Sequence, residues 1–513
     1  MRFELMLSAD ESVDSADAHA NRHLATVSTG SDRSSPSFST LKGASERKGA
    51  STSGSKVKIH GICHRIKSAA VAADGLEKKA QVAPMICVDC VKPAPLKKLF
   101  DSSGAEANCR YCSRHGQVIE SQRLFDYVYE RVAENVATKD DLSHYELGLL
   151  YHCGSDFINV SDIGVVLSEW FDLGEEPYFE DLCGGVPSEF NIDDQANETH
   201  FYSDDGTLEQ NFYEERWKAF VNDVHYKHRY FNTGAGEFLD SVFSLLVTDS
   251  GELKPAVIRT IAEGQFLYRA RLARDQEQAE KIIGDPAGEF GPTPKSLASS
   301  QRMTPNGISA LYCAFERETC LSEIRSITGD HVVSAALTPI SELKLLDLTV
   351  LDRVEPPELT MLDEGYRDSL HRKAFLGSLV KKMSRPKARN DELSYLSTQV
   401  VFEYLRLRFG KYVDGLVFPS VQTGEVGTNV VLFPESSLLS YVPPENPDPA
   451  DGPVGRETLA HNPFGPSARL VVVAKSFRFH KVTAIETKAK EYDHIYGLFM
   501  SELNRKRLGP IFD

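Results

Sequence analysis

Residues 302–323 read RMTPNGISALYCAFERETCLSE. After Arg302 the text TPNG, with Pro305 and Gly307, marks a turn. SALYCAF, 309–315, is a short run of strand-forming residues, and ETCLSEI, 318–324, has the form of a helix start with Thr319, Leu321 and Ile324 around Glu323. A turn, a strand and a helix therefore present an arginine, a tyrosine and a glutamate in succession. Each residue alone is a weak signal. A tyrosine on a strand is more often core packing than a stacking platform, and a glutamate on a helix usually faces water.

Working outward, the chain after TDSGELKP alternates short strand-like runs with loops: GQFLYRARL (264–272), SALYCAF, HVVSAALTPI (331–340), LKLLDLTVL (343–351), DGLVFPS (414–420), NVVLF (429–433) and FRFHKVTAIET (477–487). Helical text intervenes at ERETCLSEIRSI (316–327) and YLSTQVVFEYLRLRF (395–409). Two helices among seven strands, without regular alternation, predict an α+β domain rather than a doubly wound parallel sheet. In FLYRARLA the period-two rule puts Tyr268, Ala270 and Leu272 on one side and Arg269 and Arg271 on the other. An arginine inside a strand is costly unless it meets a carboxylate, a phosphate or water.

Upstream, helical periodicity dominates. SQRLFDYVYERVAENV (121–136) places Leu124, Tyr127, Val128 and Val132 on one face; VSDIGVVLSEWFDLG (160–174) stops at Gly174; QNFYEERWKAFVNDVHYKHRYF (210–231) runs into NTGAGE. These runs predict a helical domain over 117–247, followed by the α+β domain over 250–490 and a tail over 491–513. PENPDPADGPVG (444–455) reads as an exposed loop. Residues 1–80 are expected to be disordered, because the first part is rich in Ser, Thr, Asp and Gly and has few apolar residues to offset the entropy of ordering.

Between them, 81–116 carries Cys87, Cys90, Cys109 and Cys112 in the spacing C-x2-C-x18-C-x2-C. Four thiolates match the tetrahedral preference of zinc and leave no open position, so a small structural Zn2+-binding segment is expected. Nine cysteines with two CxxC pairs suit a reducing compartment, and cytoplasmic location is the default expectation. The 513-residue chain is 41% hydrophobic and 26% charged, an ordinary soluble balance, with no apolar run of membrane-spanning length and no secretory leader text. A net charge of −17 argues against nucleic-acid binding through the overall field.

Four stretches together carry a resemblance: YRAR (268–271), GPTPKSLASSQRMTPNGISALYCAFERETCLSEIRS (291–326), STQVVFEYLR (397–406) and DGLVFPSVQTGEVGTNVVLF (414–433). In their order and spacing the chain resembles the RES family, whose ADP-ribosyltransferase-like domains consume NAD+ and often act as toxins held by an antitoxin. SQRM stands where a Gly-Arg pair is common, and GPTP replaces a more proline-rich turn. The segment before it resembles the HEPN/RES N-terminal domain of longer members, which implies either a separate antitoxin or self-inhibition by the N-terminal part.

The resemblance implies Arg269, Tyr312, Glu323 and Ser420 as catalytic positions, and Tyr268, Arg302 and Asn429 as substrate-binding ones. Cleaving the nicotinamide–ribose bond of NAD+ expels a neutral base, so the demand is for an anion beside an oxocarbenium-like sugar, which Glu323 would supply. Arg269 would grip the pyrophosphate or an attacking phosphate, Tyr312 would stack on nicotinamide, and Ser420 would orient a phosphate, a ribose hydroxyl or the arginine. The acceptor of ADP-ribose is open between phosphate, water and protein. No Rossmann glycine fingerprint is present, so NAD+ is expected as a consumed substrate. Two other readings are weaker: an RNase, whose pairs would be Arg110 with His115 inside the cysteine motif or the over-spaced Arg216 and His225, and a non-catalytic scaffold.

Overall fold

A computed structural model describes residues 83–102, 104–154, 157–192, 198–384, 393–424, 426–446, 457, 467–486, 489 and 491–492. The chain divides into two units, 1–74 and 75–513. The expected disordered segment 1–80, most of the loop at 444–455 and nearly all of the expected tail lie outside the described residues.

The second unit begins with three short strands, β1 (Met85–Cys87), β2 (Glu106–Asn108) and β3 (His115–Glu120), in the order β1-β3-β2. Helix α1 (Ser121–Asn135) follows directly. Its stripe of Leu124, Val128 and Val132 is fully buried and packs with Ile86, Val118, Leu167 and Tyr178 in one core that also takes in Cys87, Cys90 and Cys109. Helix α2 (His144–Cys153) starts at a capping box: Ser143 Oγ accepts from the Glu146 amide, and Glu146 Oε2 accepts from the Ser143 amide at 2.9 Å.

A short antiparallel pair, β4 (Val160–Ser161) and β5 (Phe201–Tyr202), precedes helices α3 (Phe212–Tyr226) and α4 (Thr233–Phe243), which are followed by the large sheet and its short helices. In chain order these are β6 (Ile258–Ile261), β7 (Leu267–Ala273), α5 (Gln276–Gly284), α6 (Pro286–Phe290), β8 (Leu311–Ala314), α7 (Arg317–Glu323), β9 (His331–Pro339) and β10 (Leu343–Asp347). The remainder comprises α8 (Tyr366–Ser384), α9 (Leu396–Phe409), β11 (Gly415–Pro419), β12 (Thr428–Leu432), β13 (Leu439–Tyr441), β14 (Leu470–Val472) and β15 (Arg478–Lys481). The strands run in the order β13-β14-β9-β7-β8-β12-β11-β10-β6, with β15 paired to β9. Only β10–β11 and β13–β14 are parallel, so the domain is α+β.

Helices cover both faces of this sheet. On one face α3, α4, α8 and α9 bury Tyr213, Phe238, Phe375 and Phe402 against Leu346, Leu416 and Val431. On the other, Ile282, Ile283 and Phe290 of α5 and α6 pack on Leu311, Leu345 and Val430. The helices α3 and α4, upstream in sequence, thus share a core with α8 and α9.

A buried polar network ties the N-terminal part to α8. Asp204 Oδ2 accepts from Arg367 Nε at 2.8 Å and from His371 Nε2 at 2.7 Å. His371 Nδ1 accepts from the Phe212 amide at 3.2 Å, which assigns the ring proton to Nε2. Asn211 caps α3 and donates from Nδ2 to the His371 carbonyl at 3.1 Å. Further along, Asn135 at the end of α1 donates to the carbonyls of Met361 and Asp363 at 2.8 and 3.0 Å. Among the described residues no helix is long and apolar enough to cross a membrane.

Candidate functional site

The sheet is split at its centre. β7 follows β9 over seven residue pairs, Leu267 to Ala273, yet meets β8 at the single pair Tyr268–Ala314. Where that ladder is missing, the Arg269 guanidinium takes its place: Nη1 donates to the Tyr312 carbonyl at 2.6 Å and Nη2 to the Gly291 carbonyl at 3.2 Å. A cleft of about 390 Å³ opens here, lined by Arg269, Arg271, Arg302, Tyr312, Glu323 and Asn429 among others. It carries four arginines, the fourth being Arg325, and one carboxylate, in a chain whose net charge is −17. Such local charge inversion in a concave site favours anionic ligands.

Glu323 is the last residue of α7, and its placement is over-determined. Ser420, just past β11, and Asn429 on β12 both donate to the same oxygen, Oε1, each at 2.6 Å. Oε2 has no protein partner among the described residues. Two donors on one oxygen fix the carboxylate plane and leave the other oxygen for a ligand. The loop between the donors is closed by the Ser420 amide to the Gly427 carbonyl at 2.8 Å. At Gly427 a Cβ would come 2.1 Å from Thr319 Oγ1, so only glycine lets α7 lie this close to the loop. Glu316 completes the frame: its Oε2 accepts from Thr319 Oγ1 at 2.8 Å and from the Thr428 amide at 2.9 Å.

The turn at 302–307 is held from behind. Tyr312 receives the Met303 amide on its hydroxyl at 3.2 Å, and burial pushes its phenol pKa up. Thr398 Oγ1 donates to the Arg302 carbonyl at 2.6 Å, while Gln399 Nε2 donates to Ser300 Oγ and the Gln301 carbonyl at 2.8 and 2.7 Å. The STQ text at 397–399 is thus a clamp that sets Arg302 at the cleft. Arg302 Nε is buried with no hydrogen-bond partner, and no carboxylate lies within ion-pair range of Arg269, Arg271, Arg302 or Arg325 among the described residues.

Of the seven residues expected at the site, Arg269, Arg302, Tyr312, Glu323 and Asn429 line the cleft, with Ser420 directly behind Glu323. Ser420 Oγ is spent on the carboxylate, so its expected role toward a phosphate or the arginine gives way to holding Glu323. Asn429, expected as a substrate-binding position, does the same through Nδ2. Tyr268 is not brought in. Strand alternation sends its ring into a small cluster with Ala314 and Cys320, where the Arg317 guanidinium lies 4.7 Å from the ring centroid. Arg271, Arg325, Tyr395 and Phe418 also line the cleft, although none of them was expected as a site residue. For Arg325 the missed signal is backbone: φ is +50°, a conformation L-residues rarely adopt, two residues past Glu323.

The cysteine motif converges as its spacing requires. The four Sγ atoms of Cys87, Cys90, Cys109 and Cys112 all lie within 4.8 Å of one another, and Cys87–Cys112 and Cys90–Cys109 are 3.5 and 3.8 Å apart. A sulfur tetrahedron with bonds of about 2.3 Å has edges of about 3.8 Å, so the set fits a four-thiolate metal site. Arg110 and His115 of the RNase reading flank this cluster, with Arg110 Nε 3.2 Å from Asp181. His115 opens β3.

The fold and the cleft define a class: a mixed-sheet domain that fixes one carboxylate at the mouth of an arginine-lined split. Comparison with family models places a RES domain at residues 267–451, so this part of the chain is a RES domain. At family level that assignment is consistent with an NAD+-related, toxin-like enzyme. A search of curated proteins gave no match.

Proposed function

We propose that the chain destroys NAD+ by breaking the bond between nicotinamide and ribose, with phosphate or water as acceptor. The observation that carries the reading is Glu323, whose Oε1 is pinned by Ser420 and Asn429 while Oε2 is left for the ligand. Departure of nicotinamide from a cationic precursor needs no general acid. What it needs is a fixed negative charge beside the sugar cation, and a carboxylate that cannot rotate away provides one without reorganisation. Arg269 and Arg302 bind the phosphates, and Tyr312 offers its ring to the nicotinamide. Transfer to a protein side chain is the alternative within the same chemistry. Measuring nicotinamide, ADP-ribose and ADP-ribose 1-phosphate with and without inorganic phosphate, and label on protein, separates the three acceptors.

Arg325 gives a separate expectation. Replacing it with glycine relieves a left-handed backbone worth about 1–2 kcal/mol, so R325G melts higher than the native protein. Nicotinamide release falls in the same variant, because the cleft loses one of its cations. A lower melting point together with unchanged turnover contradicts this assignment.

We assign zinc to the four thiolates. The ion would be held by Cys87, Cys90, Cys109 and Cys112 and would cross-link the ends of β1 and β2 to the turn before β3. Elemental analysis of protein purified without chelators is expected to give about one zinc per chain. Because Cys87, Cys90 and Cys109 belong to the core shared with α1, stripping the ion is expected to lower the melting temperature and expose 83–135 to protease. Residues 117–247 we read as a HEPN-like recognition or regulatory module.

A further inference from the structure

The proposed reaction assigns phosphate binding to Arg269 and Arg302, and leaves Arg271 without a task. Arg271 lies two residues along the same strand and lines the same cleft. Its Nε donates to the Glu289 carbonyl at 2.6 Å and its Nη2 to the Gly291 carbonyl at 3.0 Å. Arg269 Nη2 donates to that same Gly291 oxygen. One peptide carbonyl therefore braces two guanidinium groups side by side. The brace is built for close approach: a Cβ on Gly291 would stand 2.4 Å from the Ala287 carbonyl oxygen.

Two like charges held together in a largely buried setting are costly, and hydrogen bonds to neutral carbonyls do not neutralise them. Among the described residues neither guanidinium has a carboxylate partner, and Arg269 Nε, on a side chain only 7% exposed, has no hydrogen-bond partner at all. The neighbouring Arg269 and burial pull the Arg271 pKa down to about 9, a sign that the pair lacks negative charge. The bonds to the Tyr312, Glu289 and Gly291 carbonyls occupy part of each guanidinium but leave both positive charges without a counterion.

We propose that Arg269 and Arg271 act as one preset fork for a diphosphate group, with Arg271 a substrate-binding residue that selects dinucleotides over single phosphates. A diphosphate brings more than one negative charge and oxygens on both phosphorus atoms, so each guanidinium meets its own phosphate; orthophosphate can face only one at a time. The inference rests on the proposed reading for its substrate but concerns binding alone, and its test needs no turnover.

The test is calorimetric titration of the full chain with inorganic pyrophosphate and, separately, with orthophosphate. Pyrophosphate is expected to bind more tightly, and R271Q to weaken it by about 10- to 100-fold, the range for losing a charge-assisted contact. Without ligand, R271Q is expected to melt no lower than the native chain, since it removes a like-charge neighbour; a purely structural arginine gives the opposite result. R271K, which keeps the charge and loses the planar fork, is expected to fold and to lose about 10-fold in pyrophosphate affinity. Equal affinity for the two anions, or pyrophosphate binding unchanged in both variants, overturns the proposal. Pyrophosphate binding that depends on Arg271 in a protein that leaves NAD+ intact preserves the fork and discards the reaction.

Discussion

Glu323→Gln is expected to lower nicotinamide release by at least about 100-fold while leaving the melting temperature within a few degrees of the native protein. The substitution keeps the shape and removes the charge. Glutamine's carbonyl oxygen still accepts from Ser420 and Asn429, so the residue stays in place, as the two 2.6 Å bonds to Oε1 require. What disappears is the anion beside the sugar cation. Ser420→Ala and Asn429→Ala each remove one of the two donors without touching the charge, and each is expected to cost about 10-fold or less, chiefly in kcat. A Glu323→Gln protein that turns over normally removes the carboxylate from the mechanism.

The largest effect on stability is expected from Asp204→Asn. Asp204 is 5% exposed, and its carboxylate accepts from Arg367 and His371. Removing the charge takes from the buried Arg367 guanidinium one of its two counterions, Asp141 remaining 3.1 Å from Nη2, which costs at most about 3–5 kcal/mol. The pH dependence has a definite sign. Burial alone would raise the Asp204 pKa, but the hydrogen bond from His371 and the bond and charge of Arg367 outweigh it and hold the group well below its ordinary value of 3.8. A depressed carboxylate stabilises the fold above that ordinary value, and the contribution is lost as pH falls below it toward the native pKa. Denaturant titrations at pH 7 and at pH 3 are expected to show a smaller gap between native and Asp204→Asn protein at the lower pH. Because the network joins the segment 204–212 to α8, the same variant is expected to loosen the N-terminal part from the sheet before the RES domain itself unfolds.

Much of the site was legible because its residues lie where local pattern is strong. The strand text of 267–273 and 311–314 and the helix start at 317 each follow from periodicity, and the motif order placed Arg269, Tyr312 and Glu323 together. The cysteine spacing was equally direct, since a CxxC turn has few uses. The assignments that changed depend on contacts between distant segments. No period in the sequence says that Ser420 and Asn429 donate to one oxygen of a glutamate about a hundred residues earlier. Nor does alternation along β7 say that the sheet splits beside it, which is what puts Arg269 and Arg271 at a cleft and leaves Tyr268 under Arg317.

The helices were harder. α8, YRDSLHRKAFLGSLVKKMS, buries Arg367 and His371 as well as Phe375 and Leu379, so its inward face is partly polar and lacks a clean apolar stripe. That polar half is the surface that receives Asp204. The strands β6, β13 and β14 are only three or four residues long and gain their identity from neighbours in the sheet. Sharing of one core by α3, α4, α8 and α9 is likewise a tertiary fact, and it binds the upstream helices to the sheet that carries the cleft.

The most direct measurement is to incubate the purified full-length chain with NAD+ and quantify free nicotinamide and the ADP-ribose product over time, in phosphate and in phosphate-free buffer. The account predicts nicotinamide appearing in step with NAD+ loss in the native protein and none above background in Glu323→Gln. NAD+ left intact by folded, zinc-loaded protein in both buffers, or cleaved equally by the two proteins, contradicts it.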